Sequence, residues 1–166
     1  MQRIKTALCL VALVGLASAI PAADAVKLAS DSYSGYFVSN KFEPHAALSF
    51  VALDNQPQFD RTFGAGFVMH DKSHRLPPNA FESLLVIGAI HRGSAVWDYK
   101  VEGVTVTAGV VELRYTTTVT PSATATYACP LIVSIPKGAY QSVRFVENGK
   151  LVRQLAVGGG ARPSAR

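Results

Sequence analysis

Between residues 26 and 157 the apolar positions fall at every second residue or in short unbroken runs, and almost nowhere at the three- and four-residue spacing of a helix face. In "GVVELRYTTTVT", Val111, Leu113 and Tyr115 alternate with Glu112, Arg114 and Thr116, the period of a half-buried antiparallel strand. "LLVIGAI", Leu84 to Ile90, is continuously apolar at strand length, which predicts a strand buried on both faces. "SYSGYFVS", "AALSFVAL" and "YACPLIVSIP" read as further strands. In "AVWDYKVEGVTVT" the side chains of Trp97, Tyr99 and Val101 are expected on one face.

Turn chemistry sharpens two boundaries. Asn148-Gly149 in "RFVENGKLVRQL" suits a two-residue type I′ hairpin, with Phe145 expected to pair near Leu151 or Val152. Only "NQPQFDRTF" reads as a short helix, with Asn55 as its cap and Phe59 and Phe63 on one face. "HDKSHRLPPN" reads as a loop, because Pro77-Pro78 excludes helix there. Strands joined by short turns predict an all-β domain over residues 26–157, an antiparallel sandwich or partly closed barrel with one short helix.

The ends of the chain are of a different kind. Arg3 and Lys5, an apolar run to Ile20 and small residues at Ala17-Ser18-Ala19 and Ala23-Asp24-Ala25 have the order of a secretory signal peptide over residues 1–25. The run is shorter than the ~20 residues of a membrane-spanning helix. Export to a periplasmic or extracellular compartment is therefore expected, without stable membrane insertion once the leader is removed. Removal takes away two cations, Arg3 and Lys5, and the acid Asp24, lowering the net charge from +5 to +4. Residues 158–166, "GGGARPSAR", read as a disordered basic tail.

Composition excludes more than it assigns. The cations are scattered, with no run and no interleaved aromatics, so nucleic acid is not an expected partner. Cys129 is the one cysteine left after processing, which rules out an internal disulfide; its place in a strand pattern, before Pro130, predicts a buried, inert thiol. No G-x-S-x-G elbow and no phosphate-cradling glycine loop is present. Asp98 and Glu102 are too far apart along one strand to act together on one bond. His70 and His74 have a spacing that places two imidazoles on one side of a helix, yet the adjoining prolines and the missing glutamate remove the mechanical basis for a metal site. Neither a catalytic centre nor a cofactor is expected.

From Phe81 the chain runs through "FESLLVIGAI", "HRGSAVW", a charged strand, "GVVELRYTTTV", "PSATATYACP" and "LIVSIPKG". This order resembles the C-terminal domain of the protease-complex subunit PrcB, over residues 81–146. "VSIPK", Val133 to Lys137, matches that family's terminal strand, whereas its Thr-Gly-Gly-Tyr-like turn is replaced by Ser94-Ala95-Val96-Trp97. The resemblance implies an extracytoplasmic module that stabilises or assembles a surface protein complex.

The expected function is accordingly a non-catalytic binding or accessory module whose partner is another extracytoplasmic protein. The alternative is a small secreted enzyme or metal-binding protein using His45, His70, His74 and His91. The candidate binding residues are His91, Arg92, Trp97 and Asp98, with Trp97 read first as a sheet-end anchor.

Overall fold

The computed structural model describes residues 24–66, 74–122 and 124–158. Residues 1–23 of the leader, His70 and the last eight residues of the tail lie outside this set. Eleven strands and two short helices are present among the described residues: β1 Val26–Lys27, β2 Asp31–Ser32, β3 Tyr36–Val38, β4 Leu48–Leu53, α1 Gln56–Thr62, β5 Phe63–Ala65, α2 Ala80–Ser83, β6 Leu84–Gly93, β7 Ala95–Thr107, β8 Val110–Pro121, β9 Tyr127–Pro136, β10 Ser142–Glu147 and β11 Lys150–Ala156. A five-stranded sheet, β1-β7-β8-β10-β11, packs against a four-stranded sheet, β2-β9-β6-β4. The fold is an open β-sandwich and not a closed barrel.

The continuous apolar run of β6 has a clear cause. Leu85, Ile87 and Ala89 point into the core between the sheets, with Leu113, Tyr115, Val133 and Phe145. Val86 and Ile90 point the other way, into a second core closed by α1, β3, β5 and α2 through Val38, Phe59, Phe63 and Phe81. A strand between two cores has no polar face to alternate with. Gly88 belongs to the same packing, since a Cβ there would come within 2.4 Å of the Leu131 carbonyl oxygen on β9.

α1 forms where its cap predicts. Asn55 Oδ1 accepts from Gln58 N–H at 3.0 Å, and the rings of Phe59 and Phe63 lie 5.1 Å apart. The structure adds α2, a single turn that brings Phe81 onto the second core immediately before β6. The "HDKSHRLPPN" loop is pinned at its described end: Gly35 N–H donates to the His74 carbonyl, Leu76 N–H to the Tyr36 hydroxyl, and Arg75 to the Gly66 carbonyl. "SYSGYFVS" is two strands, β2 and β3, in different sheets.

Two further expectations are adjusted by register. The sheets are not wholly antiparallel, because β10 runs parallel to β8; the chain crosses to the other sheet as β9 and returns. Phe145 lies opposite Arg153, adjacent to the expected Leu151–Val152 positions and one residue beyond them, because a bulge follows between Phe145 and Val146. The turn itself is as expected, with φ of +49° at Asn148 and +78° at Gly149. Among the described residues no helix is long and apolar enough to cross a membrane.

Candidate functional site

At one end of the sandwich the two sheets are joined by polar side chains instead of aliphatic ones. β6 supplies His91, β7 Trp97 and Tyr99, β8 Tyr115 and Thr117, and the end of β10 Glu147. Alternation explains the gathering: Val101 pairs with Tyr115, Tyr99 with Thr117 and Trp97 with Val119, so all six share the inward face of the β7–β8 hairpin. β6 brings His91 to the same level from the opposite sheet.

The hydrogen bonds define the protonation pattern. The Tyr99 hydroxyl donates its single proton to the Cys129 carbonyl at 2.7 Å, so at 2.9 Å from His91 Nδ1 it acts as acceptor. His91 therefore carries its proton on Nδ1 and turns Nε2 toward Glu147 Oε1, 3.4 Å away. The carboxylate is held by two donors, Thr117 Oγ1 at 3.0 Å and the Tyr115 hydroxyl at 3.2 Å. Burial lowers the His91 pKa below its ordinary value, against the opposing pull of Glu147. Burial also raises the phenols of Tyr99 and Tyr115 far above the usual tyrosine range, so both stay neutral donors.

Trp97 closes this network toward solvent. Its indole stacks on His91 with ring centres 5.4 Å apart and planes 13° from parallel, and its N–H backbone approaches Cys129 Sγ at 3.5 Å. It is half-buried, as is Cys129, whose thiol at this open end is less enclosed than its strand pattern predicts. A methyl on Gly93 would lie 3.1 Å from the Trp97 ring, so the glycine lets the indole lie over the end of β6. Val119, opposite Trp97, is 50% exposed, and Tyr127, opposite Gly93, is 37% exposed.

The four candidate residues separate. His91 and Trp97 are in contact. Arg92 points to the other face of β6, where Nη1 donates to the Ala46 carbonyl and Ser49 Oγ and Nη2 to the Phe42 carbonyl. Asp98 is exposed, one residue out of phase with Trp97 and Tyr99. The three described histidines do not converge either: His45 and His74 are exposed on different loops, and His91 is engaged by Tyr99 and Glu147. No group of three or more His, Cys, Asp or Glu side chains is placed to hold a metal ion among the described residues. Glu147, Tyr115 and Thr117 were not candidates from the sequence; the one available signal was the in-phase position of Tyr115 and Thr117 on β8.

No family model matches the chain, and neither a curated protein nor a solved structure matches it.

Proposed function

We propose that this protein is a non-catalytic, extracytoplasmic binding module that stabilises or assembles a protein complex through the Trp97 end of its sandwich. One observation carries the reading: a half-buried tryptophan, backed by a hydrogen-bonded network, is continuous with exposed Val119 and Tyr127. Aromatic and aliphatic groups displayed together on paired strands are what a protein partner buries, and the rigid backing limits the ordering cost of association. The groups with chemical potential support the same view, since both Glu147 oxygens and His91 Nδ1 are engaged within the network. The extracytoplasmic setting rests on the leader-like residues 1–25, and the accessory role is supported by the likeness of residues 81–146 to the PrcB domain.

A photo-crosslinking amino acid at position 119, in cells exporting the protein, tests the proposal. A discrete crosslinked partner is expected from position 119, lost in a Tyr127→Asp background and absent when the crosslinker replaces Glu112 on the outer sheet face. Equal labelling from both positions, or none from position 119, overturns it.

A further inference from the structure

The β7–β8 hairpin outruns the strands beside it. β10 ends at Glu147, opposite Tyr115, and turns back through Asn148-Gly149, whereas β8 continues to Pro121 with β7 paired to it as far as Ala95. The overhang is held in shape: Ser122 N–H donates to the Ser94 carbonyl at 2.9 Å across its tip, and the Trp97 backbone N–H reaches Cys129 Sγ on the side of β7 away from β8. Beyond the Asn148-Gly149 turn the five-stranded sheet therefore has a step two strands wide, beside an overhang two strands wide.

The free edge of the overhang is short and defined. Asn148 N–H donates to the Tyr115 carbonyl and Thr117 N–H donates to Asn148 Oδ1, so these alternate residues of β8 turn their backbone groups toward the β10 side. Val119 is the next of them. Its N–H and carbonyl have no strand beside them among the described residues, and its side chain is 50% exposed. Pro121, the one after, has no N–H to offer. The edge is closed at one end by the Asn148 side chain and at the other by proline, and what stays open between them is a single residue.

A residue with both backbone groups free is half of a hydrogen-bonded antiparallel pair, in which two opposed residues exchange both N–H···O bonds. We propose that a second copy of this chain fills the step, with Val119 of each copy opposite Val119 of the other across a two-fold axis and each overhang lying beyond the hairpin turn of the other copy. Step and overhang match in width, as a self-complementary two-fold contact requires. Val119 faces the same way as Trp97, its cross-strand neighbour on β7, so the two valines meet between the two tryptophans in one row across the joined sheet, and the exposed valines are covered. Charge allows a second copy here and opposes it at β11: residues 94–97 and 117–122 contain no charged side chain, whereas β11 carries Lys150 and Arg153 and no acid, so self-pairing there would gather cations. The inference rests on the reading of the Trp97 end as a protein-binding surface and names a second copy as its occupant.

Sedimentation equilibrium on protein purified from exporting cells tests this. In the two-fold register Thr118 of one copy lies opposite Thr120 of the other, and both side chains are exposed on the face away from Trp97. Thr118→Lys/Thr120→Lys and Thr118→Glu/Thr120→Glu are each expected to weaken dimerisation at least tenfold with melting temperatures near wild type, and an equimolar mixture of the two to associate at least tenfold more tightly than either alone. Val119→Pro removes an N–H that the single chain does not use, and is expected to leave the protein folded and monomeric. A wild type that stays monomeric at every concentration, a mixture no tighter than its components, or a folded Val119→Pro that dimerises within threefold of wild type overturns the inference. If the purified protein is monomeric while position 119 crosslinks another protein in cells, the second copy falls and the binding-module reading stands; if it dimerises in this register and position 119 crosslinks no other protein, the inference stands and the accessory-module reading falls.

Discussion

His91 Nε2 and the Glu147 carboxylate stand 3.4 Å apart, one on each sheet, with only 12% and 13% of their side chains exposed. Because Nδ1 holds the proton given to Tyr99, neutral His91 presents a lone pair to an anion. Protonation would turn that contact into an ion pair, but burial opposes it and dominates. The arrangement makes the joint between the sheets sensitive to pH.

The direction follows from proton linkage. With the folded pKa of His91 below the ordinary 6.5, the unfolded chain binds more protons in the interval between the two values, so stability rises with pH there. Stability is expected to be full above about pH 6.5, to decline as the pH falls toward the lower folded value, and then to receive no further change from this group. Urea unfolding of wild type and His91→Gln between pH 8 and pH 5 checks this, since the variant should lose that part of the slope. Glu147→Gln removes the opposing pull and should move the His91 midpoint lower; a higher midpoint would contradict the assignment.

The β10–β11 turn should be intolerant of a β-branched residue. Gly149 has φ of +78°, and Gly149→Val is expected to cost about 1–3 kcal/mol. Asn148 does more than accept a positive φ: its side chain accepts from Thr117 N–H at 3.0 Å and donates to Thr117 Oγ1 at 2.9 Å, extending the parallel pairing with β8. Asn148→Gly should therefore destabilise although glycine suits the backbone. Thermal melts of the two variants measure both effects.

The β7–β8 turn is built alike but with a poorer residue. Ala108 holds φ of +48° before Gly109 at +78°, where a side chain without a local hydrogen-bonding group gains nothing to offset the left-handed conformation. Ala108→Asn is expected to stabilise the protein by about 1 kcal/mol, read as a higher urea midpoint with unchanged slope.

Much of this architecture was legible because it is local. The unbroken apolar run of β6, the Asn55 cap and the Asn148-Gly149 turn each follow from steric or periodic rules acting within a few residues. Pairing across distance was not: nothing near Ser142 indicates that β10 returns parallel to β8, and the bulge that moves Phe145 onto Arg153 is one extra residue that periodicity does not expose. The site was half legible for the same reason. His91 and Trp97 are close in sequence and meet, whereas Glu147 reaches His91 only through that parallel return. Arg92 and Asp98 were drawn in by sequence proximity, although a period of two sends each to the opposite face from its neighbour.

Trp97 tests how far the end of the sandwich differs from its centre. Phe145 is fully buried between the sheets, and Phe145→Ala should cost about 3–5 kcal/mol, the usual loss for a core aromatic. Trp97 faces inward in phase with Tyr99 and Val101, but it is half-buried, with the His91 ring on one side. Its removal uncovers the network without leaving a closed cavity, so Trp97→Ala is expected to cost about 1–3 kcal/mol, less than Phe145→Ala, and to leave a folded protein. As the only tryptophan in the chain, it also reports its own surroundings. Native emission should be blue-shifted from the solvated position and move to it in denaturant; over the pH range in which His91 titrates, the stacked imidazolium should quench it, and His91→Gln should abolish that quenching. A folded Trp97→Ala that keeps wild-type crosslinking from position 119 would show that the indole supports the network without contributing to the partner surface, whereas loss of crosslinking at near-native stability would make it the anchor of that surface.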